Sequence, residues 1–110
     1  MEQVIINLLL NARDALVGKE NGRIGVSADM EEDPEDNVPV IAVRVTDNGQ
    51  GIPQNIINQI FNPFFTTKEK TRGTGLGLSV SLGIAQTHGG KIKVSSEVGS
   101  GSVFTLLIPL

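Results

Sequence analysis

Four polar residues near the start of the sequence recur at the spacing of one helix face. At about 100° per residue they form a stripe about 80° wide, which contains Gln3, Asn7, Asn11 and Asp14. Apolar residues flank this stripe on both sides, and a buried amide without a partner costs about 1–3 kcal/mol. Either the amides bond to neighbouring segments inside one core, or they line a polar ligand cavity. In the second case a side-chain carbonyl oxygen is free for a hard cation such as Mg²⁺.

Residues 47–53, DNGQGIP, form a second candidate site at the end of a predicted strand. Asn48-Gly49 alone would predict a tight hairpin turn, but the residues that follow do not resume an alternating strand. Gly49 and Gly51 let the backbone approach a flat ligand closely. The Asp47 carboxylate only accepts hydrogen bonds, which suits an exocyclic amino group such as that of adenine.

A third candidate is the glycine-rich segment Gly73-Thr-Gly-Leu-Gly, which precedes a long helical pattern. Its spacing fits neither the dinucleotide-binding fingerprint nor the P-loop. Free N–H groups at a helix N-terminus, with the positive end of the helix dipole, favour a phosphate group. Lys68, Lys70 and Arg72 come just before the glycines and could pair with phosphate oxygens. The competing interpretation is a surface loop with solvated charges.

Periodicity places these candidates on two long helices, one short helix and four strands. The predicted helices are 3–16, 54–60 and 76–88, and the predicted strands are 24–30, 38–47, 91–97 and 102–108. The first strand alternates and is expected to be half-buried, and the acidic residues 31–37 predict a solvated loop. Because the strands come as hairpins, we predict an α+β fold: a two-layer sandwich with a mostly antiparallel sheet and helices on one face.

Composition narrows the possible functions. With 110 residues and a net charge of −3, the chain has no general attraction to nucleic acid or anionic membranes. It has no cysteine and one histidine, which excludes disulfides and thiolate or multi-histidine metal sites. No run approaches the about 20 apolar residues of a membrane span. We expect one soluble, cytoplasmic domain over residues 1–110, cut from a longer protein because the sequence begins inside a helix.

Taken in order, four motifs resemble those of the catalytic ATP-binding domain of bacterial sensor histidine kinases, which belong to the GHKL superfamily with the Bergerat fold. The resemblance covers nearly the whole chain, and the ordered set carries it because any one motif could occur by chance. The motifs are Asn7-Leu-Leu-Leu-Asn11-Ala-Arg-Asp14-Ala (N box), Asp47-Asn-Gly-Gln-Gly51-Ile-Pro (G1 box), Phe61-Asn-Pro-Phe-Phe65-Thr-Thr-Lys68 (F box) and Gly73-Thr-Gly-Leu-Gly-Leu78 (G2 box).

The resemblance implies a role for individual residues. Asn11 would give its carbonyl oxygen to Mg²⁺, Asp47 would accept the adenine amino group of ATP, and Lys68 would be the first-choice cation near the phosphates. Asn11 and Lys68 are the implied catalytic residues, whereas Asp14 matches its motif without an assigned ligand. The implied nucleotide contacts are Asn7, Asn11, Asp47, Gly49, Gly51, Ile52, Phe65, Lys68, Arg72, Gly73, Thr74, Gly75, Leu76, Gly77 and Leu78.

Asn7 bears on the reaction. In ATP-hydrolysing relatives such as gyrase B subunits and MutL, a glutamate one turn before the metal-binding asparagine positions the attacking water. Asn7 stands at that place here and cannot act as a general base. The resemblance therefore implies transfer of the γ-phosphate to another acceptor. The alternatives are a GHKL-type ATPase and a non-catalytic nucleotide-sensing module.

The implied acceptor is a histidine on a separate dimerising helical domain of the parent protein. The parent would be a homodimer in two-component signalling, would serve a response regulator indirectly, and could be anchored in the inner membrane; neither nucleic acid nor direct membrane contact is expected. The chain's own histidine, His88, precedes Gly89-Gly90 at a predicted helix end. A structural role there is favoured, because a histidine complements the helix dipole.

Overall fold

The computed structural model describes residues 2–61 and 77–110. In these ranges the chain forms α1 (Glu2–Ala15), β1 (Ile24–Glu32), β2 (Pro39–Asp47), a 3₁₀ helix (Ile57–Gln59), α2 (Gly77–Thr87), β3 (Lys91–Glu97) and β4 (Gly101–Pro109). This order confirms the predicted sequence of elements and the α+β class. The predicted short helix over 54–60 is reduced to the 3₁₀ segment. None of the helices in the described ranges is long and apolar enough to cross a membrane.

The four strands form one sheet in the order β1-β2-β4-β3, and every neighbouring pair is antiparallel. Both predicted hairpins are therefore present, and β4 lies in the middle beside β2. In this register Asp47 at the end of β2 pairs with Ile24 on one side and Ser102 on the other. The sheet order thus brings the end of β2 next to the start of β4.

The core lies between the helices and one face of the sheet. In α1, Val4, Leu8 and Ala12 recur every four residues and are buried against the central strands. The sheet and α2 complete this core with Val43, Val45, Ala85, Ile92, Phe104 and Leu106. The positive φ of 76° at Gly89 follows the end of α2, as predicted for a glycine cap.

The prediction that β1 is half-buried is wrong. Val26 and Met30 are 57% and 75% exposed, although they alternate as a core-facing strand would. Their register partners in β2 are Val45 and Ile41, of which Val45 is buried in the core. Alternation identifies residues that share a face, but the helices cover β2 and leave the edge strand β1 exposed.

The acidic loop between β1 and β2 is less solvated than predicted, because Asp33 is only 2% exposed. Lys91 Nζ in β3 lies 2.9 Å from both Asp33 Oδ2 and Asp36 Oδ2, and Lys93 Nζ lies 2.7 Å from Glu35 Oε1. The backbone N–H of Glu35 and the Lys91 ammonium together lower the pKa of Asp33. The loop is therefore tied to β3 by ion pairs that the charge pattern alone did not reveal.

Candidate functional site

Asp47 is a nearly buried carboxylate, 4% exposed, at the end of β2. Its Oδ1 accepts a 2.9 Å hydrogen bond from the N–H of Gly49. Within the part of the chain that the structure describes, no donor is paired with Oδ2. The side chain alternates with Val45 and so points to the face of the sheet that carries the helices. An ionised carboxylate only accepts hydrogen bonds, so Oδ2 is suited to an amino donor.

The two glycines of the G1 loop (residues 47–53) are required by contacts within the protein. A Cβ at Gly49 would come within 2.5 Å of the Ala15 carbonyl oxygen, at the end of α1. Gly51 has a φ of +79°, and a Cβ there would overlap the Glu97 carbonyl oxygen. The loop is therefore seated between the end of α1 and the β3–β4 turn. The close approach of these glycines to a ligand stays a prediction.

Asn48 ties the same loop to the segment that follows α1. Its Oδ1 accepts a 2.6 Å hydrogen bond from the backbone N–H of Arg23, and its Nδ2 donates to the Asn21 carbonyl oxygen at 2.9 Å. This side chain holds the loop from the β1 side of the sheet.

The β3–β4 region holds the loop from its other side. The N–H of Ile52 donates to Ser96 Oγ at 2.7 Å, Gln54 Nε2 donates to the Ser96 carbonyl oxygen at 2.8 Å, and the N–H of Gly99 donates to the Gln50 carbonyl oxygen at 2.9 Å. Sequence reasoning missed Ser96. The available signal was a polar residue at an inward position of β3, since it continues the alternation of inward residues along that strand.

Asn7, in the polar stripe of α1, contacts α2. Gln3 Nε2 donates to Asn7 Oδ1 at 2.9 Å, and Asn7 Nδ2 donates to Ser81 Oγ at 3.0 Å. The half-buried Asn7 amide is therefore bonded both along α1 and across to α2. Asn11 lies one turn further along, half-buried, towards the helix end on which Gly49 packs. α1 therefore contacts α2 near its start, through Asn7, and the G1 loop at its end, through Ala15.

Several predicted site residues lie outside the described residues: Phe65, Lys68, Arg72, Gly73, Thr74, Gly75 and Leu76. Of the rest of the G2 box, Gly77 begins α2, and Leu78 is partly buried against the core. The N box on α1 thus contacts α2 through Asn7 and Ser81, and the G1 loop packs on the end of α1 through Gly49. His88 Nδ1 lies 2.9 Å from the Ile84 carbonyl oxygen after α2, in agreement with a structural role.

The described residues contain no cluster of three or more histidine or acidic side chains arranged to hold a metal ion. A hard cation can also be held by a single protein oxygen, with a ligand and water completing its shell. Such a mode matches the amide chemistry of Asn11, which offers a hard carbonyl oxygen.

The chain is similar in sequence to bacterial sensor kinases. The chain is 43% identical over 117 residues to sensor kinase CckA of Brucella abortus (strain 2308), covering 98% of this chain and 12% of CckA. It is 42% identical over 110 residues to sensor histidine kinase ZraS of Escherichia coli (strain K12), covering 100% of this chain and 22% of ZraS. The chain therefore spans less than a quarter of either relative.

The fold is similar to a solved catalytic domain. The nucleotide-free catalytic domain of histidine kinase ThkA superposes with a TM-score of 0.75 at 42% identity, covering 97% of this chain and 64% of that domain. A family model described as histidine kinase-, DNA gyrase B-, and HSP90-like ATPase matches residues 1–110. This chain belongs to that family of histidine kinase-, DNA gyrase B- and HSP90-like ATPases.

Proposed function

We propose that this chain is the Mg-ATP-binding catalytic domain of a sensor histidine kinase, and that it delivers the γ-phosphate to a histidine on another domain of its parent protein. The observation that carries the nucleotide assignment is the Asp47 carboxylate, 4% exposed and with Oδ2 unpaired among the described residues. The exocyclic amino group of adenine is a donor that this oxygen can accept.

The phosphate side of the proposed site is built from α1 and α2. Asn11 Oδ1 would hold Mg²⁺, with phosphate and water oxygens completing the shell. When bound, Mg²⁺ would neutralise charge on the transferring phosphoryl group. The N-terminus of α2 at Gly77 offers backbone N–H groups and a positive dipole end to the phosphates. Lys68 and Arg72 stay predicted contacts, as do the other G2-box residues.

Asn7 supports transfer over hydrolysis. Its Oδ1 accepts from Gln3 and its Nδ2 donates to Ser81, so the amide serves the α1–α2 contact. An amide cannot take a proton from water at neutral pH. Without a general base at this position, a nucleophile supplied by another domain is the better acceptor. The proposed partners are the histidine-containing dimerisation domain and, through it, a response regulator.

Calorimetric titration with ATP and Mg²⁺ tests the nucleotide assignment. Asp47→Asn replaces one carboxylate oxygen by an amide donor, and we expect at least a tenfold loss of affinity, about 1.4 kcal/mol. Asp29→Asn makes the same change on exposed β1 and should bind ATP like the unsubstituted chain. Thermal unfolding of both variants checks that they fold. Equal ATP affinities for the two variants would contradict the assignment of Asp47.

Phosphotransfer needs a separate measurement. The chain is incubated with γ-labelled ATP and the histidine-containing helical hairpin of its parent protein, and label is expected on the hairpin. Release of phosphate into solution without the hairpin, lost in Asn11→Ala, would instead support an ATPase. Tight ATP binding with neither transfer nor release would support a nucleotide-sensing module.

A further inference from the structure

We propose that Ser96 is a positioning residue of the nucleotide site: its hydroxyl holds the G1 loop in the conformation that presents Asp47 to adenine. This role rests on the proposed function, because it concerns the same nucleotide site. Ser96 lies in β3 and outside all four sequence motifs. It acts through the loop backbone, without contact to the nucleotide.

The Ser96 hydroxyl joins three segments. Its Oγ accepts the N–H of Ile52 at 2.7 Å, donates to the Gly101 carbonyl oxygen at 3.0 Å, and lies 2.7 Å from Ser102 Oγ. A serine hydroxyl has one proton and two acceptor lone pairs. If the Ser96 proton goes to Gly101, the Ser102 hydroxyl donates to the second lone pair. All three positions of the hydroxyl are then used, which fixes its orientation.

The same contacts lead back to Asp47. Ser102 is the register partner of Asp47 in the β2–β4 ladder and is itself buried. A Cβ at Gly101 would overlap the Asp47 carbonyl oxygen, so β4 begins in direct contact with the end of β2. The hydroxyl of Ser96 therefore connects Ile52, five residues after Asp47, to the strand that lies against Asp47 itself.

The loop depends on these contacts because it has no regular secondary structure between β2 and the turn that precedes the 3₁₀ helix. The other bonds to the β3–β4 region involve exposed residues: the Gln50 carbonyl oxygen in the loop, which accepts from Gly99, and the Gln54 amide just after the loop, which donates to Ser96. Ile52 is partly buried and packs against the core. Removal of the Ser96 hydroxyl would leave the Ile52 N–H without a partner at the point where the loop enters the core.

The test compares Ser96→Ala with Ser95→Ala, which removes the neighbouring hydroxyl on the other face of β3. Ser95 is exposed, and its side chain makes no hydrogen bond to any of the residues that the structure describes. Amide hydrogen exchange at Ile52, measured without nucleotide, should be at least tenfold faster in Ser96→Ala and unchanged in Ser95→Ala. Affinity for ATP with Mg²⁺ should fall about five- to tenfold in Ser96→Ala only. Ser96→Thr keeps the hydroxyl and should restore both.

A second nucleotide separates positioning from a general loss of stability. Partial unfolding would weaken ATP and GTP binding by the same factor, whereas a displaced G1 loop lowers the preference for ATP over GTP. Unchanged Ile52 exchange, or an ATP preference equal to that of Ser95→Ala, would overturn the role of Ser96 while the proposed function stands. Absence of ATP binding by the unsubstituted chain would overturn the proposed function, and the role of Ser96 with it.

Discussion

Asn7 in α1 donates a 3.0 Å hydrogen bond from Nδ2 to the hydroxyl of Ser81 in α2, and Ser81 is fully buried. The two helices carry the N box and the end of the G2 box. A polar contact therefore contributes to their alignment, in addition to the apolar packing of the core. Ser81 is a polar residue on the inward face of α2, and the apolar Ala85 follows on the same face one turn later.

Removal of this hydroxyl should destabilise the domain. We expect Ser81→Ala to lower the free energy of unfolding by about 1–2 kcal/mol, because the Asn7 amide loses a partner. The higher helix propensity of alanine offsets only about 0.5 kcal/mol. Urea unfolding measures the change, with Gln86→Ala on the exposed face of α2 as the control. Equal stability of the two variants would show that the contact contributes nothing.

Gly51 and Gly99, two of the five glycines with a positive φ among the described residues, form a matched pair. Their φ values are +79° and +87°, so alanine is strained at both, by about 1–3 kcal/mol. A Cβ at Gly51 also overlaps the Glu97 carbonyl oxygen, whereas nothing lies within 4 Å of one at Gly99. Chemical denaturation should therefore find Gly51→Ala less stable than Gly99→Ala, and ATP titration should show the larger loss for Gly51→Ala. The opposite ranking would contradict the seating of the G1 loop.

The ion pair between Asp33 and Lys91 predicts a pH dependence of stability. The pKa of Asp33 is lowered from its ordinary value of 3.8 by the Glu35 N–H and by Lys91. The folded state thus favours the ionised form: the contribution is complete well above pH 3.8 and is lost as the pH falls through the lower folded value. Asp33→Asn should weaken the pH dependence of thermal unfolding at pH 2–6 without removing it, because the pKa values of Glu31 and Glu35 are also lowered. Glu32→Gln, at an exposed neighbour, should keep the full dependence. If the unfolding temperature changed with pH in the same way for the unsubstituted chain, Asp33→Asn and Glu32→Gln, the ion pair would be refuted.

The exposure of β1 predicts tolerance to substitution. Met30 is 75% exposed, so Met30→Ala should change the free energy of unfolding by no more than about 0.5 kcal/mol. Leu106 in β4 is fully buried in the core, and Leu106→Ala should cost about 2–5 kcal/mol. Urea unfolding of the two variants measures both. A large loss for Met30→Ala would mean that β1 is covered in solution.

Part of the candidate site could be predicted from local sequence. Asp47, Gly49 and Gly51 stand out because a carboxylate at a strand end and spaced glycines are local signals. Their contacts could not be predicted: Gly49 approaches Ala15 and Gly51 approaches Glu97, both far away in sequence. The position of a glycine indicates where the backbone packs closely against another group, but it does not identify that group.

The sequence by itself determined the elements, the two hairpins and the order of the four motifs, since periodicity and turn chemistry act over a few residues. Only the tertiary structure decided that β2 lies under the helices and β1 does not, that Asn7 bonds to Ser81, and that Lys91 anchors the acidic loop. The contacts on which the proposed role of Ser96 rests were likewise visible only in the tertiary structure. Each depends on the strand order β1-β2-β4-β3 or on the packing of α1 against α2. Such contacts join residues dozens of positions apart, and no local pattern specifies which distant partner each residue meets.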